Sequence, residues 1–198
     1  MTTYRKYGSG GGRGKFGGGG SMSLSFPPFT FAVKWLIIAN VAVYLLMLVL
    51  HAIAPGFALA IDGTVGITPS GQLQIPLMPL VPLAVMHGWV WQLVTYSFFH
   101  VGLFHILFNM ITLWMFGPQL EMGWHRARFF EFYFYAVIAA ALTTIGVSYL
   151  GTVGTFSFLG ISPIVSTVGA SGGLFGVMVA FAVLYGNQEF MLFPLPFT

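Results

Sequence analysis

The sequence contains no cysteine and very little charge, and both absences restrict the class of protein. Without cysteine, disulfides and thiolate metal sites are excluded, and the redox compartment is left open. Charged residues make up only 6% of the 198 residues, whereas a soluble domain carries about 25%. Hydrophobic residues make up 57% and form several runs as long as a bilayer crossing requires. The composition therefore predicts an all-α, polytopic membrane protein.

Lysine and arginine are absent from most of the chain, and their positions predict its orientation. All seven lie in the first fifteen residues, near the start of the first apolar run, or between the second and third runs. Cytoplasmic loops are enriched in these residues, so the N-terminus is predicted to be cytoplasmic. The formal charge of +3 is assigned to this orientation signal.

Residues 1–25 are rich in glycine and serine and cannot bury a core, so they are predicted to form a disordered cytoplasmic tail. An RNA-binding role would rest on a single Arg-Gly pair, and no nucleic-acid partner is expected. Part of the tail is also compatible with an engineered linker. Residues 26–198 form the predicted membrane domain.

Four apolar runs predict about four transmembrane spans, over residues 29–50, 101–120, 129–149 and 169–186. A signal peptide is the alternative for the first run, because an Ala-Ile-Ala sequence follows it like a cleavage site. The run is longer than a signal core and further spans follow, which favours an uncleaved anchor.

The connection over residues 52–100 contains no lysine or arginine and is rich in proline and aromatic residues. Pro76, Pro79 and Pro82 interrupt any continuous helix. Aromatic side chains with polar tips, such as Trp91, favour the lipid headgroup layer. This segment is predicted to be a structured loop in the membrane interface, with one or two short amphipathic helices.

Polar side chains inside the second span are candidates for function. His105 and Asn109 are four residues apart and therefore share a helix face. The alternative is that they only bond neighbouring helices. A shared metal is not expected, because His100 and His105 would point about 140° apart on a continuous helix, and Glu121 lies about 24 Å further along.

The octapeptide from Gly169 to Gly176 combines closely spaced glycines with one serine, Ser171. Two overlapping GxxxG pairs, Gly169/Gly173 and Gly172/Gly176, are typical of close helix packing in membranes. In that interpretation Ser171 is simply another small residue. A catalytic interpretation is compatible with it, because a serine that reaches a neighbouring helix also requires close backbones.

Taken together, these motifs resemble the rhomboid family of intramembrane serine proteases. The resemblance covers about residues 29–190 and includes the order of an anchor span, a long interfacial loop, a His/Asn span, a return span and a serine span. The matching residues are His100, His105, Asn109, Glu121, Gly169-Ala-Ser-Gly172 and the stretch from Trp91-Gln92 to Tyr96.

The resemblance implies that Ser171 is the nucleophile, and that His105, Asn109 and the Ser171 backbone amide stabilise the oxyanion. It implies that Phe175 occupies the position whose aromatic ring stacks on the catalytic histidine. It also implies that Glu121 is a buried carboxylate that ties the second span to the following loop. The remaining supporting positions are His100, Gly169, Gly172 and Trp91.

The sequence departs from the family in two places. Gln92 stands where rhomboids often have arginine, which leaves the anchoring of the loop open. The family's general base is a histidine from a helix after the serine span, yet no histidine follows His125 here. His105 is assigned to the oxyanion, and His125 is expected a bilayer thickness away. The domain is therefore expected to be incomplete, with residues 193–198 leading into a further span.

The implied function is that of an intramembrane serine endopeptidase that cleaves transmembrane or juxtamembrane segments without a cofactor or metal. Its expected partners are transmembrane protein substrates and the lipid bilayer, in a bacterial inner membrane or an equivalent membrane. The alternative is an inactive rhomboid-like protein that binds transmembrane helices. A transporter is disfavoured because the spans contain no intramembrane charge pair.

Overall fold

The computed structural model describes residues 27–67, 71–152 and 162–186. The predictions for the tail, for most of the connection before the serine segment and for the last residues lie outside this part of the chain. The described elements are α1 (Phe31–Ile53), α2 (Pro55–Asp62), β1 (Gly66–Ile67), β2 (Leu73–Gln74), α3 (Pro82–Met86), α4 (Gln92–Thr95), a 3-10 helix (Tyr96–Phe98), α5 (Leu103–Trp124), α6 (Arg126–Leu150) and α7 (Ser171–Tyr185).

The helices confirm an all-α, polytopic membrane fold. Among the described residues, α1, α5 and α6 are long and apolar enough to cross a bilayer, with 23, 22 and 25 residues. The fourth predicted span is a shorter apolar helix, because α7 has 15 residues and a length of about 22 Å. The predicted four spans thus correspond to three full-length helices and one short one.

The helix directions place the polar residues of interest at one end of the bundle. α5 and α7 run in the same direction, since His105 near the start of α5 lies beside Gly169, and the Tyr185 hydroxyl at the end of α7 donates to the Gln119 carbonyl over 3.4 Å. We call the end that contains the starts of α5 and α7 the site end. The opposite end, with the start of α1 and the α5–α6 corner, is the basic end.

The corner between α5 and α6 is much tighter than predicted. The loop expected between residues 120 and 129 is helical except at His125, whose φ of 66° reverses the chain. The apolar run sets only the hydrophobic length of a span, whereas a helix can continue into the headgroup layer when its cations extend toward water. Arg126 and Arg128 therefore lie in the first turn of α6.

The interfacial loop is held by hydrogen bonds from the side chains of Trp91 and Gln92. Gln92 is fully buried, and its Oε1 accepts a hydrogen bond from the Val81 amide over 2.9 Å. Its Nε2 donates to the Pro76 carbonyl over 3.1 Å, and the Trp91 indole donates to the Leu77 carbonyl over 2.9 Å. Gln92 thus anchors the loop, a point that the sequence had left open.

The same loop fixes the segment that precedes α7. Leu80 and Thr167 exchange two backbone hydrogen bonds of 2.9 Å, and the Leu83 amide donates to the Pro163 carbonyl over 3.0 Å. Pro82 begins α3, where a missing amide proton costs nothing because the first turn has no acceptor for it. The interfacial loop and the approach to Ser171 therefore form one connected layer.

The glycines of the octapeptide allow α7 to lie against α6, as the small-residue pattern predicted. A Cβ added to the glycines at 172, 173 and 176 would come within 2.5–2.7 Å of side-chain carbons of Ala140, Val137 and Ala136 respectively. Real side chains do not approach so closely, and only glycine fits at these three positions. Close packing is therefore confirmed for this face of α7.

Candidate active site

Gly169 forms the turn that leads into the candidate nucleophile. Its φ of +121° lies in a region that residues with a side chain rarely adopt. Its amide donates to the Tyr96 carbonyl over 2.9 Å. A Cβ at this position would also lie 2.6 Å from His105 Nε2. Both the backbone conformation and the nearby imidazole therefore require glycine.

Tyr96 connects this turn to the return helix. Its side chain is buried, and its hydroxyl donates to the Val137 carbonyl of α6 over 2.8 Å. Burial raises the pKa of Tyr96 to about 12, so the hydroxyl keeps its proton and remains a donor. Its position four residues after Gln92 belongs to the motif, but nothing in the sequence indicated its contact with α6.

His105 and Asn109 face the Gly169 turn together. The point where a Gly169 Cβ would lie is 2.6 Å from His105 Nε2 and 3.7 Å from Asn109 Nδ2. The prediction that the two side chains share a helix face is confirmed. Asn109 Nδ2 is buried and has no hydrogen-bond partner among the described residues. A buried N–H donor without an acceptor is available to a ligand oxygen.

His100 lies closer to His105 than predicted. Its imidazole contacts that of His105 edge to face, with ring centroids 4.9 Å apart. The predicted 140° separation was wrong because α5 begins only at Leu103 and His100 lies outside the helix. The Ala170 amide donates to His100 Nε2 over 3.5 Å. Burial, and secondarily the neighbouring His105, lowers the pKa of His100 to about 4, so the ring is neutral near pH 7.

Ser171 is the first residue of α7 and is exposed. In the part of the chain that the structure describes, no hydrogen bond from Ser171 Oγ is present. Its backbone amide lies in the first turn, where amides have no intrahelical acceptor. Phe175 follows one turn later on the same face, 70% exposed. Its ring stacks on no histidine among the described residues.

Glu121 supports the opposite end of the bundle. Its buried carboxylate accepts hydrogen bonds from the amides of Ala32 (2.8 Å) and Val33 (3.1 Å). It thus ties α5 to the start of α1, whereas the expectation was a bond to the following loop. The reason is that the loop is reduced to His125, while the first amides of α1 need acceptors.

His125 lies far from Ser171, and the described histidines form no cluster that could hold a metal. His125 comes twenty residues after His105 along α5, a distance of about 30 Å. Among residues 27–67, 71–152 and 162–186, no group of three or more candidate metal ligands is present. His100, His105 and Asn109 therefore lie beside the turn that precedes Ser171.

The site residues fall within a region similar to known proteins. The sequence matches the Rhomboid domain family over residues 87–198, which is more than half of the chain. The chain belongs to the rhomboid family. As a rhomboid protein with several apolar helices, it is an integral, multi-pass membrane protein. Rhomboid proteases are serine endopeptidases that act on transmembrane substrates within the membrane.

Similar rhomboid proteins include both proteases and an inactive relative. The rhomboid-family protein YdcA of Bacillus subtilis is 32% identical over 54% of this chain and 48% of its own. Rhomboid protease GluP of the same organism is 32% identical over 54% of this chain and 18% of its own. Inactive rhomboid-related protein 2 of Caenorhabditis elegans is 30% identical over 59% of this chain and 34% of its own. The chain spans less than half the length of these relatives.

Proposed function

We propose that this protein is an intramembrane serine endopeptidase that cleaves transmembrane or juxtamembrane segments of other membrane proteins. The observation that carries the proposal is the position of Ser171. It is exposed at the start of α7 and follows directly on a turn that faces His105 and Asn109. A serine in this position has both space for a substrate and donors beside it.

In the proposed mechanism, Ser171 Oγ attacks the carbonyl carbon of the scissile peptide bond. The negative charge that develops on the carbonyl oxygen is stabilised by the Ser171 amide, Asn109 Nδ2 and the His105 ring. The unpaired Asn109 donor supports this role, because a preorganised donor aimed at an oxyanion contributes about 10²–10³ in rate. Collapse of the intermediate releases the amine half of the substrate, and water then hydrolyses the acyl-enzyme.

The general base is proposed to be a histidine that is not in this sequence. Serine is a weak nucleophile until a neighbouring base accepts its proton. His100 and His105 already face the Gly169–Ala170 backbone, and His125 lies at the basic end. Ser171 and Phe175 lie on an exposed face of α7, and a histidine-bearing segment is proposed to cover it.

The test uses a fluorophosphonate probe on the protein expressed from its complete coding sequence. We expect labelling of the wild type and none of Ser171→Ala. Ser148→Ala is the matched control, because Ser148 lies in α6 and its hydroxyl bonds the Ile145 carbonyl. Equal labelling of wild type and Ser171→Ala would exclude Ser171 as the nucleophile.

The second candidate is a rhomboid protein that binds transmembrane helices without cleaving them. One observation favours it: an inactive rhomboid-related protein is among the similar sequences. This function predicts that a transmembrane partner co-purifies equally with the wild type and Ser171→Ala, and that neither form cleaves it.

The proposed location is a bacterial inner membrane or an equivalent membrane, with the N-terminus in the cytoplasm. The concentration of lysine and arginine at the basic end supports this orientation. The site end then faces the outer leaflet.

A further inference from the structure

A cavity of about 400 Å³ opens at the basic end, far from Ser171. It lies where the start of α1 meets the corner between α5 and α6. Its lining combines apolar side chains with a hydroxyl, a carboxylate, an imidazole and a guanidinium group: Thr30, Phe31, Glu121, Met122, His125 and Arg126. Glu121 is the one lining residue that belongs to the rhomboid motifs, and the proposed mechanism uses none of the six.

Positive charge exceeds negative charge at this end, where the described cations are Lys34, Arg126 and Arg128 and the acids are Glu121 and Glu131. Arg126 and Arg128 occupy the first turn of α6, which contains no acidic residue and has no side-chain cap. The positive end of a helix dipole favours anions, so two arginines there are unfavourable in isolation. Glu121 also lines the cavity, but both of its oxygens already accept amides of α1. An additional anion would offset the positive charge that remains at this end.

The side chains of the cavity are partly preorganised for such an anion. The Arg126 guanidinium lies over the Phe31 ring, 5.1 Å from its centroid, which restricts its position at the cavity. The Thr30 hydroxyl is buried and has no hydrogen-bond partner within the described residues. His125 adopts a φ of 66°, and backbone strain in a residue other than glycine is often retained where it serves a site.

The setting of the cavity identifies the class of anion. All the described lysine and arginine residues lie toward this end, at the level where helices leave the hydrocarbon layer. Phe31 and Met122 offer apolar surface next to the cations, which suits a molecule that has a charged head and an acyl chain. Basic pockets between helices at this depth are suited to anionic lipid headgroups. We propose that this cavity binds the headgroup of an anionic phospholipid, with Arg126 as its principal contact.

The test is a titration of the full-length protein with phosphatidylglycerol in detergent, with bound lipid counted by native mass spectrometry. Phosphatidylcholine, which carries a phosphate but no net charge, is the lipid control. We expect phosphatidylglycerol to bind about tenfold more tightly than phosphatidylcholine, because the choline cation of phosphatidylcholine is repelled by the nearby arginines; that factor corresponds to about 1.4 kcal/mol. Equal binding of the two lipids would overturn the proposal.

Matched variants then assign the site to the cavity. Arg126→Gln is expected to weaken phosphatidylglycerol binding about tenfold. Lys34→Gln removes the same charge at the same end, outside the cavity lining, and is expected to change binding less than about twofold. Phe31→Leu keeps every charge but removes the ring beneath the guanidinium, and should weaken binding about threefold.

Two results would contradict this assignment. An equal loss in Arg126→Gln and Lys34→Gln would show a diffuse charge effect rather than a site. Displacement of phosphatidylglycerol by an equal concentration of inorganic phosphate would show that a small free anion is bound, and the lipid would be excluded.

Discussion

Asn109 carries a polar side chain whose burial is not explained by hydrogen bonds within the described residues. It is buried, yet its Nδ2 finds no acceptor among the described residues. Leaving a buried donor unpaired costs about 1–3 kcal/mol. If Asn109 served only to bond neighbouring helices, this donor would be paired. The cost is understandable if the donor is kept for an oxyanion.

This interpretation predicts opposite effects of Asn109→Leu on activity and stability. The change keeps approximate side-chain volume and removes the unpaired amide. The rate of substrate cleavage is expected to fall about 10²–10³-fold, while thermal stability in detergent is expected to stay constant or rise. Thr112→Val is the control in the same helix, because the Thr112 hydroxyl only bonds the Phe108 carbonyl. A clear loss of stability in Asn109→Leu would instead indicate a structural role.

The sequence predicted the pairing of His105 with Asn109 because a helix repeat alone determines it. It did not predict the position of His100, because the start of α5 depends on where the extended backbone at Gly102 ends. The sequence also did not predict the contact of Tyr96 with α6. It joins residues 41 positions apart, and such a contact follows from tertiary packing rather than from a local pattern.

At the scale of elements, the packing of α6 against α7 depends on glycines with no room for a methyl group. A Cβ on Gly176 would lie 2.5 Å from the Ala136 Cβ. Gly146, also within α6, would place its Cβ in open space. These two glycines have the same chemistry and opposite surroundings.

We therefore expect alanine substitutions at these two glycines to change the free energy of unfolding in opposite directions. Gly176→Ala forces the helices apart and is expected to lower the free energy of unfolding by about 1–3 kcal/mol. Gly146→Ala reduces the freedom of the unfolded chain and is expected to raise it by about 0.5–1 kcal/mol. Denaturant titrations of both variants in the same detergent measure the difference. Destabilisation of equal size in both would mean that close packing does not decide the outcome.

Helix boundaries were predicted less well than helix existence. Hydrophobicity placed the end of the second span near Leu120, whereas α5 continues to Trp124. The apolar window also predicted a span over residues 169–186, whereas α7 begins at Ser171. Both differences arise from backbone features, namely the turn at His125 and the φ of +121° at Gly169.

At the scale of the whole molecule, the charge asymmetry between the two ends gives a testable orientation. The chain contains no cysteine, so a single introduced cysteine reports on one side of the membrane. With a membrane-impermeant maleimide on intact cells, Thr64→Cys at the outer side is expected to be labelled. Ala127→Cys at the basic end is expected to react only after permeabilisation. The reverse pattern would place the N-terminus outside.

The hydrogen bonds of Tyr96 couple the position of the interfacial loop to that of Ser171. Its carbonyl holds the Gly169 amide and its hydroxyl holds α6, so a displacement of the loop is transmitted directly to the turn before Ser171. In a protein that acts as proposed, a substrate that entered by pushing this loop aside would also pull the serine away from His105 and Asn109. Substrate entry that leaves this loop in place would keep the serine beside His105 and Asn109.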